Sequence, residues 1–106
     1  MEIKHIQLGR TGVTVPAIGQ GTFQMGEDKS RLAQEVEALR TGIEAGMTLI
    51  DTAEMYADGG SERVVGEAIS DCRDQVFLVT KVWPTNADYQ GVLNAASNSL
   101  KRLGTD

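Results

Sequence analysis

From Arg31 onward the apolar residues recur at intervals of three and four. Leu32, Val36, Leu39 and Ile43 fall on one helical face, while Glu35, Glu37 and Arg40 lie off it. The pattern predicts a helix that stops at Gly46, where glycine suits a left-handed C-cap. Ahead of it, Ile3-Lys4-His5-Ile6-Gln7-Leu8 alternates loosely, Gly9-Arg10-Thr11-Gly12 punctuates, and Val13-Thr14-Val15-Pro16 resumes the extended pattern. Residues 1–16 therefore read as a short capping hairpin. Ala17-Ile18-Gly19-Gln20-Gly21 reads as a short buried strand, ending in a glycine where the backbone turns sharply or approaches a ligand.

After the helix, Met47-Thr48-Leu49-Ile50 predicts a strand that ends at Asp51. Past the loop at Gly59-Gly60, Ser61 is placed to cap a helix whose apolar face is Val64, Val65, Ala68 and Ile69, with Glu62 in its first turn favouring the dipole. Val76-Phe77-Leu78-Val79 is apolar on both faces, as expected of a strand in the middle of a covered parallel sheet. The last helix runs from Asp88 to Leu103 with a stripe of Tyr89, Val92, Leu93, Ala96, Leu100 and Leu103, and Gly104 stops it. A hairpin followed by three strand–helix units over residues 17–106 implies a right-handed α/β winding. A (β/α)8 barrel takes eight strands and about 250 residues. The periodicity fits part of such a barrel or a small open sheet equally well.

At 106 residues one small domain is the ceiling, and folding buries roughly 65% of the unfolded chain's surface. The 15 acidic residues outnumber the 10 basic ones, for a formal charge of -5, and the basic residues are scattered. That distribution argues against a nucleic-acid partner. The start, MEIKHIQLGR, has no apolar h-region, and no run of about 18 apolar residues occurs, so neither export nor a membrane partner is expected. These features point to a cytoplasmic protein. Cys72, the only cysteine, sits in a polar stretch and reads as a bystander thiol. His5 is the only histidine, which makes a metal site improbable.

The block that carries chemistry is Leu49-Ile50-Asp51-Thr52-Ala53-Glu54-Met55-Tyr56, then Gly59 to Gly66, then Thr80-Lys81-Val82-Trp83. Asp51 and Lys81 each end a predicted strand, where the loops of an α/β barrel build an active site, and Tyr56 lies between them. A phenol, with an ordinary pKa of about 10, is a poor acid near neutrality until a cation stabilises its phenolate. Lys81 supplies that cation in this reading, Asp51 holds the lysine charged and oriented, and Tyr56 is the general acid. Spacing alone also fits a plain structural Asp51–Lys81 ion pair and a surface tyrosine. Two glycine-rich stretches are better read as turns than as phosphate cradles. Gln24 stands where Gly19-Gln20-Gly21 would need its third glycine, and Gly59-Gly60-Ser61 lacks the lysine of a P-loop.

The run IDTAEMYADGGSERVVGEAI resembles the signature of the aldo-keto reductases, and the likeness extends to the opening hairpin and to Gly19-Gln20-Gly21-Thr22-Phe23. Bacterial reductases with AEMYADGG in this loop are the nearest likeness. The resemblance implies the amino-terminal part of a (β/α)8 TIM barrel, made of the hairpin 1–16 and the first three βα units. It also implies reversible reduction of an aldehyde or ketone, with hydride from NADPH, or from NADH, and a proton from Tyr56. Asp51, Tyr56 and Lys81 match the family's catalytic Asp, Tyr and Lys. Gly21, Thr22 and Asp51 would lie beside the cofactor, and Phe23 and Trp83 would line the substrate pocket or, failing that, pack under loops.

The family's fourth catalytic residue, a histidine at the end of the fourth barrel strand, has no counterpart here, because His5 falls in the hairpin. The 106 residues alone are thus expected to be inactive, lacking most of the cofactor site as well. An exposed sheet edge then invites self-association. The competing expectation is a non-catalytic α/β binding or assembly module on a barrel scaffold.

Overall fold

A computed structural model describes residues 2–106. Strands β1 (His5–Gln7) and β2 (Thr14–Pro16) pair antiparallel, His5 opposite Pro16, and form the expected hairpin. The hairpin lies at the amino ends of the main strands. Ala17 N–H donates to the Lys4 carbonyl, and the Ile3 side chain stands beside Gly46, just ahead of the second main strand.

The main sheet has three parallel strands in the order β3 (Gln20–Gly21), β4 (Leu49–Asp51), β5 (Phe77–Val79). Its register sets Gly21 beside Asp51 and Asp51 beside Val79, so the carboxyl ends of all three strands finish level. Helices α1 (Leu32–Glu44), α2 (Gly60–Ala68) and α3 (Tyr89–Leu103) follow the three strands in turn. Gly46 takes a φ of 99°, the left-handed conformation expected where α1 stops. Asp88 caps α3 by accepting from Gly91 N–H at 2.6 Å, and Gly104 ends it left-handed.

The core is one cluster, drawn from Val36, Leu39 and Ile43 of α1, Ile50 of β4, Val64, Val65 and Ala68 of α2, and Ile69, Val76 and Leu103. The α2–α3 crossing is tight. A Cβ on Gly66 would fall 2.6 Å from the Arg102 carbonyl oxygen, so only glycine lets the two backbones approach this closely.

Three expectations are corrected. Ser61 does not cap α2: Gly59 occupies the N-cap position, and the buried Ser61 hydroxyl donates to the carbonyls of Thr22, at 3.0 Å, and Met25. Tying the first strand's loop to α2 outweighs capping, because those buried carbonyls have to be satisfied. The first main strand is shorter and less buried than the run Ala17 to Gly21 implies: it spans only Gln20–Gly21, and Ile18 ahead of it is 57% exposed. The apolar stripe of α3 holds only at Leu103. The residues it buries are Ala95, Ser99 and Leu103, while Tyr89, Val92, Leu93 and Leu100 are exposed. That helix is apolar over a wide arc, and only one side of the arc meets α2.

Candidate active site

The level strand ends bring Asp51 and Lys81 to one rim. Beyond β4 and β5 the ladder continues for a few residues: Thr52 N–H donates to the Val79 carbonyl and Glu54 N–H to that of Lys81. Lys81 Nζ donates to both carboxylate oxygens of Asp51 at 2.9 Å and to the Thr52 carbonyl at 2.7 Å. Both side chains remain nearly half exposed, so the pair faces solvent on one side. Lys81 Nζ also lies 5.1 Å from the centroid of the Tyr56 ring. Burial by itself would push the Lys81 ammonium down. Hydrogen bonding to Asp51 and its charge, with smaller contributions from Tyr56, outweigh that and hold the pKa above the ordinary lysine value.

Tyr56 opens a short turn, Tyr56–Gly59, in which Ala57, Asp58 and Gly59 all have positive φ, at 52°, 50° and 89°. Two consecutive non-glycine residues in the left-handed region are costly, and the surrounding contacts hold them there. Phe23 packs edge-on against Tyr56, ring centroids 5.3 Å apart at 65°, yet is otherwise 70% exposed. Thr22 is buried, and its hydroxyl donates to the Asp51 carbonyl at 3.0 Å, fixing that backbone from below. Gly21 lies beside Asp51 in the register, with open space where a side chain would be. Trp83 is partly exposed in the loop just after Lys81.

The sequence-predicted residues Gly21, Thr22, Phe23, Asp51, Tyr56, Lys81 and Trp83 thus all fall at the carboxyl end of the sheet. His5 does not, since it stands in the hairpin at the other end with its Nδ1 against the Ile3 carbonyl. Cys72 is half-buried, and burial followed by the Asp71 charge raises its thiol, which disfavours the reactive thiolate. Among the described residues no group of three or more His, Cys, Asp or Glu side chains could hold a metal, and no helix is long and apolar enough to cross a membrane.

Pattern reading misses two carboxylates. Glu62 is wholly buried, accepting from Arg102 and from the Thr80 hydroxyl at 2.8 Å. Glu54 accepts from Trp83 N–H and from Asn86. The only signal for Glu62 is an apolar face of α2 on both sides of an acidic residue. For Glu54 it is its place two residues before Tyr56.

The description Aldo/keto reductase family belongs to the family model that matches residues 17–106. Methylglyoxal reductase YeaE of Escherichia coli (strain K12) is 59% identical over 106 residues, covering all of this chain and 37% of that protein. An aldo-keto reductase from Klebsiella pneumoniae, solved with NADPH, superposes with a TM-score of 0.91 at 54% identity, over all of this chain and 37% of that one. A second Klebsiella pneumoniae structure, with NADP and acetate, gives 0.87 at 57% identity, over 89% of this chain and 33% of that one. The chain therefore spans about a third of the length of these proteins, and its hairpin and three βα units are part of their barrel. With the match running through the Asp51, Tyr56 and Lys81 segments alike, this chain belongs to the aldo/keto reductase family.

Proposed function

We propose that these residues form the proton-transfer part of a carbonyl reductase that uses NADPH, with NADH as the lesser alternative. The observation that carries the reading is Lys81, held charged by Asp51 and set against Tyr56. As Tyr56 gives its proton to a carbonyl oxygen, negative charge develops on the phenol oxygen, and the adjacent ammonium stabilises it. Asp51 acts one step back, keeping Lys81 protonated and oriented.

The residues present suit a nicotinamide cofactor. Gly21 leaves open space at the rim, and the half-exposed Asp51 carboxylate can accept from a ribose hydroxyl. When bound, the cofactor supplies the hydride that goes to the carbonyl carbon. Thr22 serves that region through the Asp51 backbone, and Phe23 and Trp83 form an apolar wall for the substrate. Because the Escherichia coli relative is named for methylglyoxal, a small 2-oxoaldehyde is the first substrate to offer.

On this reading the protein works in the cytoplasm, residues 1–16 cap the barrel, and residues 17–106 are its first three βα units. The 106 residues by themselves turn over no carbonyl, since His5 cannot take the place of a polarising histidine near Tyr56. Left alone they self-associate through the β5 edge. The test has two arms. In the intact protein, aldehyde-dependent oxidation of NADPH is expected, and Y56F should lower kcat by about 10²–10⁴-fold while NADPH still binds. An unimpaired Y56F sinks the assignment. For the isolated chain, quenching of Trp83 fluorescence by NADPH in the micromolar range, on a folded sample, would show a more complete cofactor site than this reading allows.

A further inference from the structure

We propose that Glu54 is a positioning residue, a carboxylate clamp that fixes the Trp83 loop against the Tyr56 loop and so sets the width of the substrate wall. The Glu54 backbone and side chain face the same neighbour. Its N–H donates to the Lys81 carbonyl at 3.0 Å, and its Oε2 accepts from Trp83 N–H at 2.7 Å, two residues further on. Asn86 Nδ2 donates to Oε1 and Oε2, both at 3.2 Å, from the far end of the same loop. Asn86 N–H in turn donates to the Trp83 carbonyl at 2.8 Å, closing a compact turn over Pro84 and Thr85. One side chain therefore binds both ends of the segment 83–86.

Besides Glu54, the segment is tied by its own backbone turn and by α3, whose Gly91 packs closely against the Asn86 carbonyl. Trp83, Pro84 and Thr85 are exposed, and the single 3-10 turn Pro84–Asn86 adds no side chain to the apolar core. Charge-assisted hydrogen bonds from backbone N–H groups to a carboxylate are among the stronger ones a protein makes. Glu54 also sits two residues before Tyr56, so the clamp couples the proton donor's loop to the indole across the rim. Loosening the wall weakens the packing of a small carbonyl compound in ground state and transition state alike, a loss of uniform binding that raises KM and leaves kcat nearly unchanged.

The role in substrate positioning rests on the reductase reading, whereas the clamp itself does not, and the experiment separates them. Amide exchange and steady-state kinetics are measured on the intact protein for wild type, E54A and E54Q. In E54A, exchange of the Trp83 backbone amide should rise about tenfold or more, as expected when its hydrogen bond to a charged group is lost. The KM for a small aldehyde should rise about tenfold with kcat within about threefold, a pattern that general unfolding does not produce. Because Gln keeps one carbonyl oxygen for Trp83 N–H, E54Q should return KM to within about threefold of wild type.

Unchanged exchange in E54A overturns the clamp. Faster exchange with unchanged KM, or kcat falling with folded fraction while KM stays fixed, overturns the positioning role. A wild-type protein inactive on every aldehyde offered defeats the reductase reading instead, and exchange still decides whether Glu54 holds the loop.

Discussion

Glu62 of α2 and Arg102 of α3 form an ion pair on a carboxylate with no solvent exposure, Arg102 Nε and Nη2 lying 2.8 and 2.6 Å from the same oxygen, Oε1. The other oxygen, Oε2, accepts from the hydroxyl of Thr80, the residue before Lys81. A helix–helix contact is thereby tied to the strand end that presents the site. Removing the cation alone leaves a buried charge uncompensated, which costs about 3–5 kcal/mol. Urea unfolding of R102A should show a loss of that size. Replacing both partners with apolar residues of similar volume, as in E62M/R102M, should restore most of it, since the desolvation cost of the pair disappears with the pair. If the double variant is as unstable as R102A, the pair is worth far more than its desolvation cost.

The contrast between that pair and the rest of the site shows what a sequence pattern can carry. That Asp51, Tyr56 and Lys81 share one rim is legible because Asp51 ends one strand with a strong β-pattern, Lys81 follows the next, Tyr56 lies in the loop between them, and strand ends in this architecture meet at one end of the sheet. The chemistry proposed for them comes from the family resemblance, since spacing alone also fits a plain ion pair and a surface tyrosine. Local pattern makes Glu62 a dipole partner at the start of α2, since its real partner stands 40 residues away on a different helix. It makes Ser61 a cap for the same reason. Local rules assign a side chain to its own backbone, while these two serve contacts that exist only after the strands and helices have packed. The stripe of α3 fails differently. Its apolar arc is wider than the surfaces it packs against in this chain, so periodicity finds the helix without finding most of its buried side.

Lys81 gives a prediction in pH. Its folded-state pKa lies above the ordinary lysine value of 10.5, the hydrogen bond and charge of Asp51 overcoming the burial that would lower it. A raised pKa means that the folded form holds the proton more tightly. The stabilisation is then fully present below pH 10.5 and is lost as pH climbs through the higher folded value. The difference in melting temperature between wild type and K81M should therefore stay level from neutral pH to about pH 10 and shrink above it. The effect will be modest, because both partners are nearly half exposed and screened by water. A difference that shrinks between about pH 7 and about pH 9 would contradict the raised value.

Ala57 supplies the last prediction, through the backbone that aims Tyr56. A φ of 52° places an alanine in the left-handed region, where the Cβ costs roughly 1–2 kcal/mol. In A57G that strain is relieved, but the unfolded chain gains freedom worth about 0.4–1 kcal/mol, so the net change is small and on the stabilising side. Thermal unfolding should show A57G equal to or slightly more stable than wild type. The turn would nonetheless hold Tyr56 less rigidly against Phe23 and Lys81, whose contacts do not by themselves fix the direction of the chain. A fall in kcat without a fall in stability would mean that the strain stored at Ala57 serves the aim of the phenol. A57G that is clearly destabilised would show instead that the Ala57 methyl makes packing contacts worth more than the strain it causes.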